Sequence, residues 1–169
     1  MNSNLKFDFV VNRENNTIVV KREFAANLEL VWEAWTTAEL LDQWWAPEPC
    51  KAETKSMDFR EGGHWLYCMI MPPENQKHWG KQNYQKIVMH QNFSGTDIFC
   101  DESGIANPEF PTGRFENAFS EANGKTLVTV ISTHNSFEEI EMVIEMGFKE
   151  GLASAFENLD KYLSLKNKV

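Results

Sequence analysis

The stretch REFAANLELVWEAWTTAELLDQWWAP, residues 22–47, decides the fold because the spacing of its bulky residues changes from that of a strand to that of a helix. Up to Phe24 the side chains alternate with a period of two, which is typical of a strand with one buried face. The residues that share this face are Ile18, Val20, Arg22 and Phe24. After Asn27 the bulky residues follow i, i+3, i+4 and i+7 spacing, which places them on one helical stripe. This stripe consists of Leu28, Val31, Trp32 and Trp35.

A second short helix is predicted to follow at once. Its stripe consists of Leu40, Leu41, Trp44 and Trp45. Asn27 is a suitable N-cap for the first helix, because its side-chain oxygen can accept a hydrogen bond from a free backbone N–H. Pro47 disfavours helical geometry at Ala46, so the second helix should stop near Trp45. We expect helices over about 28–36 and 38–45.

Two adjacent tryptophans at a helix end need a structural explanation. Neighbouring residues on a helix point in directions about 100° apart. We therefore hypothesise that one of Trp44 and Trp45 packs into the core while the other forms the wall of a pocket. The alternative, that both rings are purely structural, stays open because large aromatic rings are mostly buried.

The middle of the chain predicts an antiparallel meander. About six apolar runs follow residue 50, and turn-rich segments such as ANPEFPTG and EANGK separate them. In the run HWLYCMIM, alternation places Trp65, Tyr67 and Met69 on one face. The opposite face carries the apolar residues Leu66, Cys68 and Ile70, which predicts a covered outer surface; a homodimer could provide that cover.

A long C-terminal helix completes the pattern. Its apolar stripe runs from Phe148 to Leu163 at helical spacing, and its only large partner is the sheet. Glycine weakens a helix interior, so a bend or break is expected near Gly147. The sequence therefore predicts an α+β fold in which a curved antiparallel sheet wraps around a long helix.

This order of elements resembles the START-like, or SRPBCC, superfamily with its helix-grip fold, and within it the homologues of the activator of the 90-kDa heat-shock-protein ATPase. The resemblance is carried by residues 22–47, by DFREGGHWLYCM (58–69), by YQKI (84–87) and by GFKEGLASAFENLDKYL (147–163). The chain departs from the family pattern at Asn27, where proline is usual, and at Ala46, where glycine is usual.

The resemblance implies a cavity between the sheet and the long helix. On this basis, and from strand alternation, we predict that the cavity is lined by Trp45, Trp65, Tyr67, Met69, Trp79, Tyr84, Phe93, Phe99, Phe119, Met142, Met146, Phe148 and Leu152. The resemblance does not imply a particular activity, because one fold supports many functions.

Composition narrows the classes of partner. The 169 residues suit a single domain over 1–169, and the formal net charge of −9 disfavours nucleic acid and anionic membrane surfaces. No apolar run reaches membrane-spanning length, and the first residues lack a signal-like apolar region, so we expect a cytoplasmic protein. The cysteines lack C-x-x-C spacing and the histidines lack metal-ligand spacing, so we expect free thiols, no metal and no cofactor.

Three functions remain open at this stage. The first is a module that binds a small apolar or aromatic ligand in the cavity. The second is a protein-interaction domain of co-chaperone type, and the third is an enzyme of cyclase or hydrolase type. No catalytic motif is present; the polar residues that could serve an enzyme are Glu116, Asp97 and His134.

Overall fold

The structure of the protein is a computed structural model, and residues 5–166 are described. Its eight strands are β1 (Phe7–Asn12), β2 (Thr17–Phe24), β3 (Lys51–Asp58), β4 (His64–Met71), β5 (Gln76–Val88), β6 (Asn92–Cys100), β7 (Gly113–Ala122) and β8 (Lys125–Thr133). They form one curved antiparallel sheet in the order β1-β2-β8-β7-β6-β5-β4-β3. The predicted meander from β3 to β8 is confirmed, and the β2–β8 pairing joins it to the first hairpin.

Four helices lie between or after the strands. They are α1 (Leu28–Thr36), α2 (Ala38–Trp44), α3 (Phe137–Glu145) and α4 (Phe148–Lys166). The predicted cap of α1 is confirmed, since Asn27 Oδ1 accepts a hydrogen bond of 2.9 Å from the backbone N–H of Leu30. The break near Gly147 is also confirmed: this residue has a φ of 92° and separates α3 from α4. A left-handed φ favours glycine, so the chain can turn sharply there.

The C-terminal half of α4 is fixed on the β1–β2 end of the sheet. The Phe156 ring packs edge-on against Phe24 at a centroid distance of 5.4 Å and against Phe7 at 6.2 Å. Next to it, the guanidinium of Arg22 is fully buried and forms a two-pronged ion pair with the carboxylate of Asp160. Helix and sheet are therefore joined by aromatic packing and by a charge pair.

An aromatic core lies next to this attachment on the concave face, beneath α1, and Trp35 contacts both Phe156 and Phe119. Trp32 is its centre, with ring centroids of Phe93, Phe119 and Phe59 between 5.0 and 6.1 Å away. Edge-to-face pairs of this kind add stabilisation beyond simple burial. Buried rings therefore occupy this part of the space between sheet and helices.

The convex face gives an intrachain explanation for the apolar residues of β4. Leu66 is 6% exposed and Cys68 is fully buried within a single chain. Flanking strands cover Cys68, because Glu53 and Trp79 are its register neighbours on the same face. A second copy of the chain is not needed to bury this surface, so the observation that suggested a homodimer no longer supports one.

The ion pair between Arg22 and Asp160 gives a stability prediction. Replacing Asp160 by alanine leaves a buried guanidinium without its partner, so we expect the free energy of unfolding to fall by about 3–5 kcal/mol. The matched control is Asp8→Ala, which removes an exposed pair with Lys6 and should cost less than about 1 kcal/mol. Urea denaturation of both variants measures the difference, and equal losses would show that the buried pair does not fix α4.

Candidate cavity between the sheet and the last helix

A cavity of about 360 Å³ lies between the concave face of the sheet and the first half of α4. Phe148, Leu152 and Ala155 of α4 form one wall, and strands β4 to β8 form the opposite one. Phe99 and Met146 belong to the lining but are 38% and 48% exposed, so they mark the mouth. A volume of this size accommodates a small organic molecule.

Aromatic rings form the side of the cavity next to α2. Trp45 and Tyr67 line it, with ring centroids 6.2 Å apart. Behind them, Trp65 stacks on Tyr67 at 4.1 Å and keeps the phenol in place. Trp44, by contrast, is fully buried in the core, where its Nε1 donates to the carbonyl oxygen of Ala34 at 2.9 Å. The two adjacent tryptophans therefore occupy different environments, one in the core and one at the cavity.

The position of Tyr67 depends on a glycine on the neighbouring strand. Gly80 faces Tyr67 in the β4–β5 register, and a Cβ at residue 80 would lie 2.8 Å from the phenol oxygen. Only glycine leaves this space free, so the phenol can lie across β5. Burial, and then the nearby charge of Asp97, raises the pKa of Tyr67 far above its usual range, so the phenol stays neutral.

Polar side chains lie on the sheet wall of an otherwise apolar cavity. The lining includes Gln82, Asp97, Asn117, Ser132 and His134. Burial raises the pKa of Asp97 to about 7, although a hydrogen bond from the Gln82 side chain opposes the shift. The Asp97 carboxyl is therefore close to half ionised at neutral pH, unlike an ordinary aspartate.

His134 lies at the end of this wall within a short polar chain. Its Nε2 is 3.3 Å from the hydroxyl of Ser132, and its Nδ1 is 3.8 Å from the Glu139 carboxylate. Gly113 makes room for the imidazole, because a Cβ there would lie 2.9 Å from the ring. Burial lowers the pKa of His134, so the ring is neutral near pH 7 and can exchange protons with a hydroxyl.

Seven of the thirteen predicted residues line the cavity with side chains on the concave side or on the helices. They are Trp45, Tyr67, Met69, Phe99, Met146, Phe148 and Leu152. Trp79 also borders the cavity, but its ring belongs to the convex face, since Trp79 pairs with Cys68 and Cys100 and lies beneath the amine of Lys55. That these residues bind a ligand remains a prediction.

Five predicted residues lie elsewhere, which corrects the sequence-based list. Trp65, Tyr84, Phe93 and Phe119 do face the concave side but are buried in the aromatic core. Strand alternation gives the correct face for these four residues. It does not show that Trp32 and Phe59 fill the space next to them on the concave side. Met142 of α3 is 37% exposed and lies outside the lining.

Of the three polar residues that could serve an enzyme, two line the cavity and one does not. Asp97 and His134 line the cavity, whereas Glu116 is exposed on the convex face. Sequence reasoning missed Trp35, Gln82 and Asn117, all of which belong to the lining. Alternation offered a signal for two of them, because Gln82 lies two residues before Tyr84 and Asn117 two before Phe119.

A second depression, of about 400 Å³, lies at the surface between α2 and β3. Asp42, Glu48 and Cys50 are among its lining residues. Its lining mixes polar and apolar residues and includes no aromatic side chain, so we assign the candidate site to the first cavity. Burial raises the pKa of Asp42, whose carboxylate is held by the Thr54 hydroxyl at 2.6 Å.

Two further features concern residues 5–166 only. No group of three or more His, Cys, Asp or Glu side chains in this range is arranged to hold a metal ion. Within the same range, no helix combines the length and the apolar character needed to cross a membrane.

The curved antiparallel sheet, the C-terminal helix and the space between them define the protein as an α+β domain of the helix-grip, START-like class. Residues 25–164 match the model of one family, described as activator of Hsp90 ATPase homolog 1-like protein. The chain belongs to this family, as the sequence resemblance indicated.

Solved structures agree with this assignment. The chain is 28% identical to the protein Ms6760 from Mycobacterium smegmatis, with a TM-score of 0.86 over 94% of this chain and 96% of that one. It is also 28% identical to a protein from Arthrobacter aurescens, with a TM-score of 0.86 over 93% and 91%. The AHSA1 protein from Silicibacter pomeroyi, at 20% identity, shares the fold with a TM-score of 0.69 over 89% and 99%. Among curated proteins, none matches the chain.

The raised pKa of Asp97 predicts how Asp97→Asn changes stability with pH. A partly buried carboxyl whose folded pKa of about 7 exceeds the ordinary 3.8 stabilises the fold below pH 3.8 and loses that contribution as pH rises through 7. Asparagine resembles the neutral acid and does not ionise. We therefore expect the variant to gain stability relative to the wild type between pH 4 and pH 8, by up to about 4 kcal/mol.

Denaturant unfolding at pH 4, 6 and 8 measures this difference. Glu116→Gln is the control, because it removes an exposed carboxylate from the convex face of the same sheet. A constant difference between Asp97→Asn and the wild type across this range would show that Asp97 has an ordinary pKa.

Proposed function

We propose that the protein binds a small, mainly apolar ligand with an aromatic or similarly flat body in the cavity between the sheet and α4. The observation that carries this proposal is the cavity itself, which has an apolar helix wall, an aromatic side and a few polar groups on the sheet wall. Most small-molecule sites combine apolar area for affinity with a few polar groups for orientation. Family membership agrees with a ligand-binding or co-chaperone-like domain.

A second candidate function is a protein interaction of co-chaperone type. The printed description of the family names an activator of the Hsp90 ATPase. In this chain, Phe99 and Met146 at the mouth and Met142 on α3 are between 37% and 48% exposed, and exposed apolar side chains can contact a partner. Stimulation of Hsp90 ATPase turnover by the purified chain supports this function, and absence of both stimulation and binding removes it.

A third candidate is catalysis in the cavity, for which the specific observation is the neutral His134 next to Ser132. A buried base within reach of a hydroxyl can take its proton when the hydroxyl attacks an acyl group. The test is turnover of an activated ester, with Ser132→Ala and His134→Gln as variants. Equal rates in the wild type and both variants remove this function.

We also propose that the protein is located in the cytoplasm. All three cysteines, Cys50, Cys68 and Cys100, are free, which is expected in a reducing compartment and supports a cytoplasmic location.

Native mass spectrometry of the purified protein, followed by denaturing extraction, tests the main proposal directly. We expect an adduct at near-stoichiometric level that denaturation releases as an apolar small molecule. The same spectrum reports a monomer or a homodimer. A mass without adduct, together with no binding of an apolar fluorescent probe, would contradict the ligand-binding function.

Filling the cavity should abolish binding without unfolding the protein. Leu152 lines the cavity from α4, so Leu152→Trp places a larger ring in the space that a ligand needs. Leu165→Trp is the matched control, because Leu165 is 69% exposed on the same helix. We expect at least a tenfold loss of affinity for an apolar fluorescent probe in the first variant and no loss in the second. Equal affinities in the two variants would mean that the probe binds elsewhere.

A further inference from the structure

We infer that the cavity selects an organic cation, with its ammonium group against Asp97 and its apolar body along α4. The inference rests on the proposed ligand-binding function and specifies the chemical class of the ligand. It arises from three observations: a carboxyl in the cavity wall, aromatic rings near it, and no ion pair between this carboxyl and a cation within residues 5–166.

The first step concerns the partners of Asp97. On the concave face its register neighbours are Gln82 on β5 and Gly113 on β7, and neither carries a charge. Within residues 5–166, no lysine, arginine or histidine nitrogen lies within 4 Å of the Asp97 carboxylate. An ionised carboxylate in an apolar cavity is unfavourable unless a positive charge pairs with it. A cationic ligand would supply that charge.

The second step concerns the three basic residues of the lining, His78, Lys81 and His134. His78 precedes Gln82 by four residues on β5, and its side chain is exposed. Lys81 belongs to the lining through β5, but its amine extends towards Gly104 in the loop after β6. His134 lies at the end of the same wall, and burial keeps it neutral near pH 7. None of the three forms an ion pair with Asp97.

The third step concerns the aromatic groups near the carboxyl. Tyr67 lies across Gly80 on β5, and Gly80 is two residues from Gln82, the register partner of Asp97. Trp45 completes the aromatic side, 6.2 Å from the ring of Tyr67. The negative faces of tyrosine and tryptophan rings attract ammonium groups, most strongly where water is excluded. Carboxylate and rings therefore favour the same kind of group.

The remaining surroundings exclude other ligand classes. An anionic ligand would be repelled by Asp97, and a bare metal ion would lack ligands, since no cluster of metal-binding side chains occurs in the described part of the chain. The helix wall of Phe148, Leu152 and Ala155 offers only apolar contacts. The best match is a hydrophobic molecule with one alkylammonium group, and the net charge of −9 favours its approach.

The test uses two probes of nearly equal shape and different charge. One is (2-naphthylmethyl)trimethylammonium, and the other is its neutral carbon isostere, 2-neopentylnaphthalene. Equilibrium dialysis measures both affinities at pH 8 for the wild type, Asp97→Asn and the control Glu116→Gln. We expect the wild type and the control to bind the cation at least tenfold more tightly than the isostere. In Asp97→Asn the two affinities should differ by less than twofold.

A second measurement uses the wild type alone, in case the variant fails to fold. The quaternary probe cannot lose its charge, so its affinity follows the ionisation of Asp97 and should fall about tenfold from pH 8 to pH 6. The isostere should not change. Tyr67 and Tyr84 stay neutral in this range, so neither phenol changes the charge of the cavity. A change in the affinity of the isostere over the same range would reveal a pH effect that does not depend on the charge of the ligand.

The outcomes separate the two proposals. Equal affinity of the wild type for both probes overturns the cation inference and leaves the apolar binding function intact. Binding of the cation that persists unchanged in Asp97→Asn also overturns it. Failure of both probes to bind the wild type at either pH counts against the cation inference and the proposed function together.

Discussion

The attachment of α4 to the β1–β2 edge of the sheet is the constraint on which the rest of the structure depends. Phe156 packs against Phe24, and the buried Arg22 pairs with Asp160, so the second half of this helix is fixed on β2. The first half contacts β1 through Phe148, whose ring lies 6.1 Å from that of Phe9, and it faces the cavity on the side of strands β4 to β8. A cavity inside a domain removes favourable contacts, and the firm attachment along this edge offsets that loss.

The aromatic residues fall into two groups, one that fills the core and one that lines the cavity. Around Trp32 the rings pack edge to face and form a buried cluster on the concave face of the sheet. Trp35 touches both groups, because it contacts Phe119 of the core at 5.7 Å and also lines the cavity beside Trp45. Packing in the core and the shape of the cavity are thus connected through α1.

The polar residues of the concave face argue for a function rather than for stability alone. Gln82 and Asn117 occupy inward positions of β5 and β7, and both are buried. Apolar residues there would close the fold more tightly, because a buried polar side chain is costly without full hydrogen bonding. Their presence opposite an apolar helix wall gives the cavity one polar side and one apolar side. A ligand with one polar side and one apolar side would fit such a space in one orientation.

Much of the local structure of this protein could be predicted from its sequence alone. The change from strand to helix spacing around Asn27, the stop before Pro47 and the break at Gly147 depend on local backbone preferences, so they could be read without coordinates. The inward faces of β4, β6, β7 and β8 also follow from alternation, since the strand period is two. Tertiary structure alone decided how far each inward residue lies from α4. Phe93 and Phe99 share one face of β6, yet the first is core and the second lies at the cavity mouth. Likewise, only the pairing of distant strands places Asp97 beside Gln82 and Tyr67 beside Gly80, because such contacts depend on register between strands and not on the local sequence of either.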